Sequence, residues 1–233
     1  MLGAAGGSAV RVILALRRYI RWMATQLIGP ERPFSLAGGC ALFLSMAGSP
    51  FLTPLYTAGV VVSTSAEDFR QFLVWGSLIS VFLIGVGLSY VVVQVWRGKI
   101  TDFHVSQQSQ RQVPFMVAVG SSMVGVGVLW WLEAPRMLVA LGTCFTLQGI
   151  FFGILTHYRK ISMHVAVMAS CITALIFLFG WNAVPFIGLL PLQGWARVYR
   201  RRHTLRQVVA GALLAPVLTI LMLVPWWLAG KVG

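Results

Sequence analysis

Acidic side chains are nearly missing from this sequence: Asp and Glu together number 5 in 233 residues, against 18 Lys and Arg. Charge of either sign is scarce, at 10% of residues, where a soluble domain carries roughly 25%. Too little polar surface exists to cover a water-soluble globule. Cysteine is sparse as well. Cys40, Cys144 and Cys171 all fall inside apolar runs, and neither their number nor their spacing makes a disulfide framework. They read as small buried hydrophobes. No carboxylate or Cys/His cluster has ligand spacing, so no metal and no cofactor is expected. The N-terminus has no uninterrupted apolar core either. Arg11, Arg17, Arg18 and Arg21 break it before spanning length is reached, which argues against a cleavable signal peptide.

What the chain has in abundance is hydrocarbon: 58% hydrophobic residues and a mean hydropathy of +0.83. A bilayer is its natural solvent. Residues 8–27 place apolar side chains at helical spacing with arginines on the other face, the pattern of an interfacial amphipathic helix. The break Gly29-Pro30-Glu31-Arg32-Pro33 follows. Residues 1–33 are thus an N-terminal interfacial segment and 34–233 a transmembrane helical domain. Seven apolar runs follow, at about 36–62, 71–96, 113–132, 136–156, 163–180, 182–196 and 207–229. Pro50 and Pro54 predict a kink or split in the first. The sixth is short and holds Pro185 and Pro191; a straight span needs about 20 apolar residues. The predicted fold is all-α: a polytopic membrane helix bundle of six to seven spans preceded by an amphipathic interfacial helix. Trp96, Trp130, Trp131, Trp226 and Trp227 at run ends fit an interfacial belt. Gly85, Gly87, Gly125 and Gly127 are packing positions.

The scarce charge is distributed one-sidedly. With a cytoplasmic N-terminus and seven crossings, four segments face the cytoplasm. They carry Arg11, Arg17, Arg18, Arg21 and Arg32; then Arg97, Lys99 and Arg111; then Arg159 and Lys160; then Arg197, Arg200, Arg201, Arg202 and Arg206. Only Arg70, Arg136 and Lys231 stay outside, as the positive-inside rule requires. The even parity supports the short sixth run as a span. The expected location is a prokaryotic cell (inner) membrane. The same rule accounts for the basic excess without nucleic acid, so no nucleic-acid partner is expected; anionic phospholipids are.

All four histidines, His104, His157, His164 and His203, stand in or beside these basic loops. In Lys160-Ile161-Ser162-Met163-His164, Ser162 is positioned to cap the following helix, whose free amides favour an anion. The ten residues from Arg197 to Arg206 include five arginines and His203. Asp102 sits in a basic loop, between Gly98-Lys99 and His104, with Arg111 following. Arginine forks suit an anion, and histidine makes phosphoryl transfer through a histidine nucleophile a chemical option. A transporter fits less well: no run carries a mid-membrane charge, and Gln94, Gln148 and Asn182 read as lying near run ends or loops.

At these residues the chain resembles the type 2 phosphatidic acid phosphatase superfamily. Its third motif, Ser-Arg-x5-His-x3-Asp, is met by Ala196-Arg197, His203 and Gln207, continuing into Val208 to Gly211. Its second, Pro-Ser-Gly-His, is met by Ile161-Ser162-Met163-His164. For the first, Lys-x6-Arg-Pro, His104 stands seven residues before Arg111, and proline is delayed to Pro114. The resemblance covers about residues 97–215 and points to a divergent integral membrane branch. It implies a metal-independent phosphatase acting on a membrane lipid with a phosphate headgroup. His203 would be the nucleophile, His164 the acid and Gln207 the residue orienting His203. Arg111, Arg197, Lys99, His104, Ser162 and the Met163 amide would bind phosphate. The alternative is a non-catalytic protein that keeps the fold and binds anionic lipid; a structural subunit of a larger complex is a further option.

Overall fold

The computed structural model describes residues 35–101, 105 and 107–230, so the interfacial segment, Asp102 and His104 lie outside it. Among the described residues every regular element is helical. In chain order these are α1 (Leu36–Ala47), α2 (Leu52–Ser65), α3 (Phe69–Trp96), α4 (Gln112–Trp131), α5 (Arg136–Tyr158), α6 (Met163–Phe179), α7 (Leu189–Tyr199) and α8 (Leu205–Leu228). A 3-10 stretch, Gly180–Gly188, joins α6 to α7. Five helical stretches are long and apolar enough to cross a membrane, six when the bent pair α1–α2 is taken as one. The chain is built as an integral membrane protein. Its outward face is apolar: Leu213, Leu221, Met116 and Ile154 are all more than half exposed.

The first run does split. Gly48-Ser49-Pro50-Phe51 separates α1 from α2, which are bent 53° to each other. Pro54 falls in the first turn of α2, where a missing N–H breaks no helical bond. The Thr53 and Thr57 hydroxyls donate back to the Ser49 and Thr53 carbonyls, at 2.8 and 3.1 Å, keeping this part of the turn paired inside apolar surroundings. Helix α3 is continuous but widens into a π-helical stretch at Ser80–Gly85. The Ser121 hydroxyl of α4 donates to the Phe82 carbonyl there at 2.7 Å.

The sixth run is a return path. Gly180, at φ +63°, ends α6 in a conformation that glycine adopts without strain. The Ser162 amide, at the start of α6, donates to the Gln207 carbonyl in the first turn of α8 at 3.2 Å. These two helices therefore begin at the same end of the bundle and run parallel, so Gly180–Tyr199 must carry the chain back. Gly211 permits their contact: a Cβ there would lie 3.0 Å from the Ser162 carbonyl oxygen.

The two halves of the bundle are filled differently. Away from Ser162 and Gln207, the helices close on a solid core of Val61, Val62, Leu138, Leu141, Cys144, Ala174 and Leu223. The half near Ser162 and Gln207 packs α5, α6 and α8 around Phe152, Ala166, Ala169 and Ala215, and beside this cluster it is hollow. Two expectations need correction. Cys40 is exposed on α1 rather than buried. Gln148 is not near a run end: it is buried in the body of α5, its amide donating to the Thr219 hydroxyl of α8 at 2.8 Å and facing the Cys144 sulfur at 3.3 Å. Two helices that share this pairing keep a polar group in the interior without exposing it to hydrocarbon.

Candidate functional site

The Arg197–His203 spacing is a helix end followed by a helix start. Helix α7 stops at Tyr199, and Arg201 turns left-handed at φ +52°. The Arg201 amide then donates to the Val198 carbonyl (2.9 Å), and the Arg202 amide to the Arg197 carbonyl (3.1 Å). This is a Schellman closure with arginine where glycine is usual. The His203 amide reaches the same Arg197 carbonyl at 3.3 Å. One carbonyl thereby ties the backbones of Arg197 and His203 together. Thr204 next opens α8 with a capping box: its hydroxyl accepts from the Gln207 amide (3.4 Å), and the Gln207 side-chain oxygen accepts from the Thr204 amide (3.2 Å).

That same Gln207 Oε1 lies 3.1 Å from Nδ1 of His203. Because Oε1 already accepts from an amide N–H, the oxygen assignment is self-consistent and Nδ1 must carry the proton. Nε2 is left with its lone pair. Burial pushes the imidazole down to about 4 from an ordinary value of 6.5. Arg197, Lys160 and Arg111 push in the same direction, and the Gln207 bond opposes them. His203 is neutral at pH 7.

His203 lines a cavity of about 390 Å³ in the hollow half of the bundle. On its charged side the cavity is bounded by Arg111, Lys160, His164, Arg197, Arg201 and Arg202 with His203. Arg111, Arg197 and His164 are buried; Lys160 and Arg201 are exposed at its mouth. Among the described residues the acids, Glu67, Asp68 and Glu133, lie in turns at the opposite end. Arg111 sits at the N-cap of α4, and its Nε–H donates to the Val105 carbonyl at 2.9 Å. Val105 is held at φ +46°, a left-handed conformation unusual for a β-branched residue. Arg197 reaches Ser45 of α1, Nη1 to Oγ, at 3.4 Å. Met163 and His164 line the cavity from the first turn of α6, the end of a helix whose amides attract anions.

Deeper in, the walls become apolar: Leu83, Ile84 and Val91 of α3, and Phe115, Phe145 and Phe152 of α4 and α5. The space is amphipathic, cationic at one end of the bundle and hydrocarbon toward its middle.

The structure brings together Arg111, Met163, His164, Arg197, His203 and, behind it, Gln207. Lys99 is exposed and does not line the cavity; the lysine at its mouth is Lys160. Ser162 occupies the N-cap position of α6, yet its hydroxyl makes no capping bond. That hydroxyl is buried and has no hydrogen-bond partner among the described residues. His104 falls outside those residues. His157 points elsewhere, its Nδ1 2.7 Å from the Gln112 amide nitrogen. Arg201 and Arg202 were legible only as members of an arginine cluster. Which of the five turn inward depends on the left-handed residue that closes α7.

No family model matches the chain, and no curated sequence or solved structure matches it.

Proposed function

We propose that this protein is an integral membrane phosphatase or phosphotransferase acting on a lipid phosphate or polyprenyl (di)phosphate through a phosphohistidine. The observation that carries the reading is His203: neutral, with Nδ1–H held by Gln207 and Nε2 left with its lone pair, in a cavity shared with His164 and a group of cations. In the reaction, Nε2 of His203 attacks phosphorus as the bond to the leaving oxygen breaks, and His164 supplies the proton that oxygen takes up. Water, giving a proton back to His164, then attacks the phosphohistidine; the P–N bond breaks, its electron pair returns to Nε2 and phosphate leaves. Arg111 and Arg197, with the Met163 amide, stabilise the charge on the phosphoryl oxygens. Ser162 is fully buried and does not line the cavity, so it takes no part in this step. The Arg197–His203–Gln207 spacing and Ser162-x-His164 resemble the phosphatidic acid phosphatase superfamily, with Ala196 and Gln207 standing where that pattern has Ser and Asp.

The finer topology belongs to the same proposal. Seven crossings, with Gly180–Tyr199 as the sixth, put the basic loops and the site at the cytoplasmic face of a prokaryotic inner membrane. A substrate there keeps its tail in lipid and its head among arginines. The second reading is a protein that binds anionic lipid without turning it over. Gln207 favours it, because an uncharged amide gives a developing imidazolium no charge stabilisation.

The deciding experiment measures phosphate release by purified, detergent-solubilised protein on phosphatidate, phosphatidylglycerophosphate and a polyprenyl diphosphate, beside the His203→Ala variant. Loss of a nucleophile is expected to lower turnover by about 10³-fold or more while lipid binding persists. Turnover that survives the substitution would refute the mechanism. Binding without release by either protein would establish the second reading.

A further inference from the structure

The apolar arm of the cavity carries information about the substrate that the charged end does not. Its floor is well defined. Gln148 lines it, with its amide pinned by Thr219 and Cys144, and Leu141 and Cys144 of the solid core follow on α5. From Phe152 to Phe145 the arm descends two turns of α5, roughly 10 Å at about 1.5 Å per residue. The π-helical stretch of α3 shapes the facing wall, since Leu83 and Ile84 both belong to it and both line the cavity. Gly125 of α4 accommodates that stretch: a Cβ there would collide with Phe82 Cβ. The whole cavity, head and arm together, is about 390 Å³, near the lower end of the roughly 300–1,000 Å³ typical of small-molecule sites.

We infer that the arm admits one hydrocarbon chain, so the substrate is a single-chain phosphorylated lipid rather than a two-chain glycerophospholipid. This deepens the reading above and rests on it for the identity of the headgroup. The physical reason is shape. A chain moved from bilayer into the arm gains little hydrophobic free energy, because lipid is as apolar as the arm. What the arm contributes is exclusion. A cavity of about 390 Å³ that must hold the phosphate as well as hydrocarbon is too small for a second chain beside the first. Ile84, buried and lining the arm from α3, is the residue whose size is expected to set this limit.

The test uses the full chain in detergent and an alkyl monophosphate with a photoreactive diazirine near the end of a ten-carbon tail. Cross-links are mapped by mass spectrometry, with phosphate release measured in parallel. Label is expected within 83–91 of α3 and 145–152 of α5. One-chain lysophosphatidate should displace it at least tenfold more effectively than phosphatidate with the same acyl chain. Ile84→Trp should abolish the label. Ile84→Ala, which enlarges the arm, should narrow the difference between the competitors; it serves should the tryptophan variant fail to fold. Label confined to lipid-facing residues such as Met116 and Ile154, or equal competition by the two lipids, would overturn the inference. Labelling in the arm with the expected competition but without phosphate release would refute the phosphatase reading and leave the single-chain site standing.

Discussion

Gln207 performs three tasks with one amide: it closes the capping box of α8, accepts from His203 Nδ1 and fixes the tautomer. What it cannot do is stabilise a positive imidazole, and this sets a pH signature. With the imidazole at about 4, the attacking neutral form persists down to that pH. The acid limb of the activity profile is expected near 4 rather than near 6.5. Gln207→Asp adds a carboxylate that favours the protonated ring, so its acid limb should move upward while activity at pH 7 is kept or increased. A pH–rate profile of both proteins checks this, and a limb that stays in place would remove Gln207 from contact with the nucleophile. Arg201 supplies a second residue-scale test. A non-glycine residue held left-handed costs roughly 1–2 kcal/mol. Arg201→Gly should therefore raise thermal stability by about 1 kcal/mol while lowering kcat/KM, because a cation leaves the mouth. Arg201→Lys, which keeps charge and strain, should change neither by much.

At the scale of elements, the site depends on how closely α6 and α8 approach. The Ser162 amide and the Gln207 carbonyl join their first turns, and Gly211 leaves no space for a side chain between them. Gly211→Leu is expected to force the helices apart. A loss of about 1–3 kcal/mol of stability, as for overpacking, should come with a larger proportional loss of turnover, since His164 lies in the first turn of α6 and His203 just before the N-cap of α8. Melting temperature and phosphate release measured together would separate the two effects; unaltered turnover would show that this approach does not seat the histidines. Several elements were legible beforehand. Pro50 and Pro54 announced the split between α1 and α2, and the later runs fall within a few residues of the helices, except the sixth, which divides into the 3-10 stretch Gly180–Gly188 and α7. The π-helical stretch of α3 carried no sequence signal, because it depends on Ser121 and Gly125 of a different helix. Gln148 was misplaced for a related reason. A glutamine between apolar neighbours looks interfacial until its partner, Thr219 in α8, is known.

The described residues form a bundle solid at one end and hollow at the other, with most of their cations around the hollow end. The proposed orientation makes an accessibility prediction. In a Cys40→Ser background, which removes the exposed native thiol, Lys99→Cys should resist a membrane-impermeant thiol reagent in intact cells and react after permeabilisation. Glu67→Cys, in the turn at the opposite end, should react in intact cells. The reverse pattern would invert the topology.

By itself, the sequence determined the solvent, the helical class, the split first run and the residue types able to meet an anion. These follow from composition, from proline and glycine, and from the distribution of charge between apolar runs, all of which are local properties. The tertiary structure alone decided which cations share a cavity, that Lys160 rather than Lys99 stands at its mouth, that the Ser162 hydroxyl makes no cap, and that an apolar arm continues the charged end into the bundle. Each of these depends on side chains from helices far apart in the chain, whose register is set by close contacts such as Gly211 against Ser162. No spacing along the sequence records such contacts.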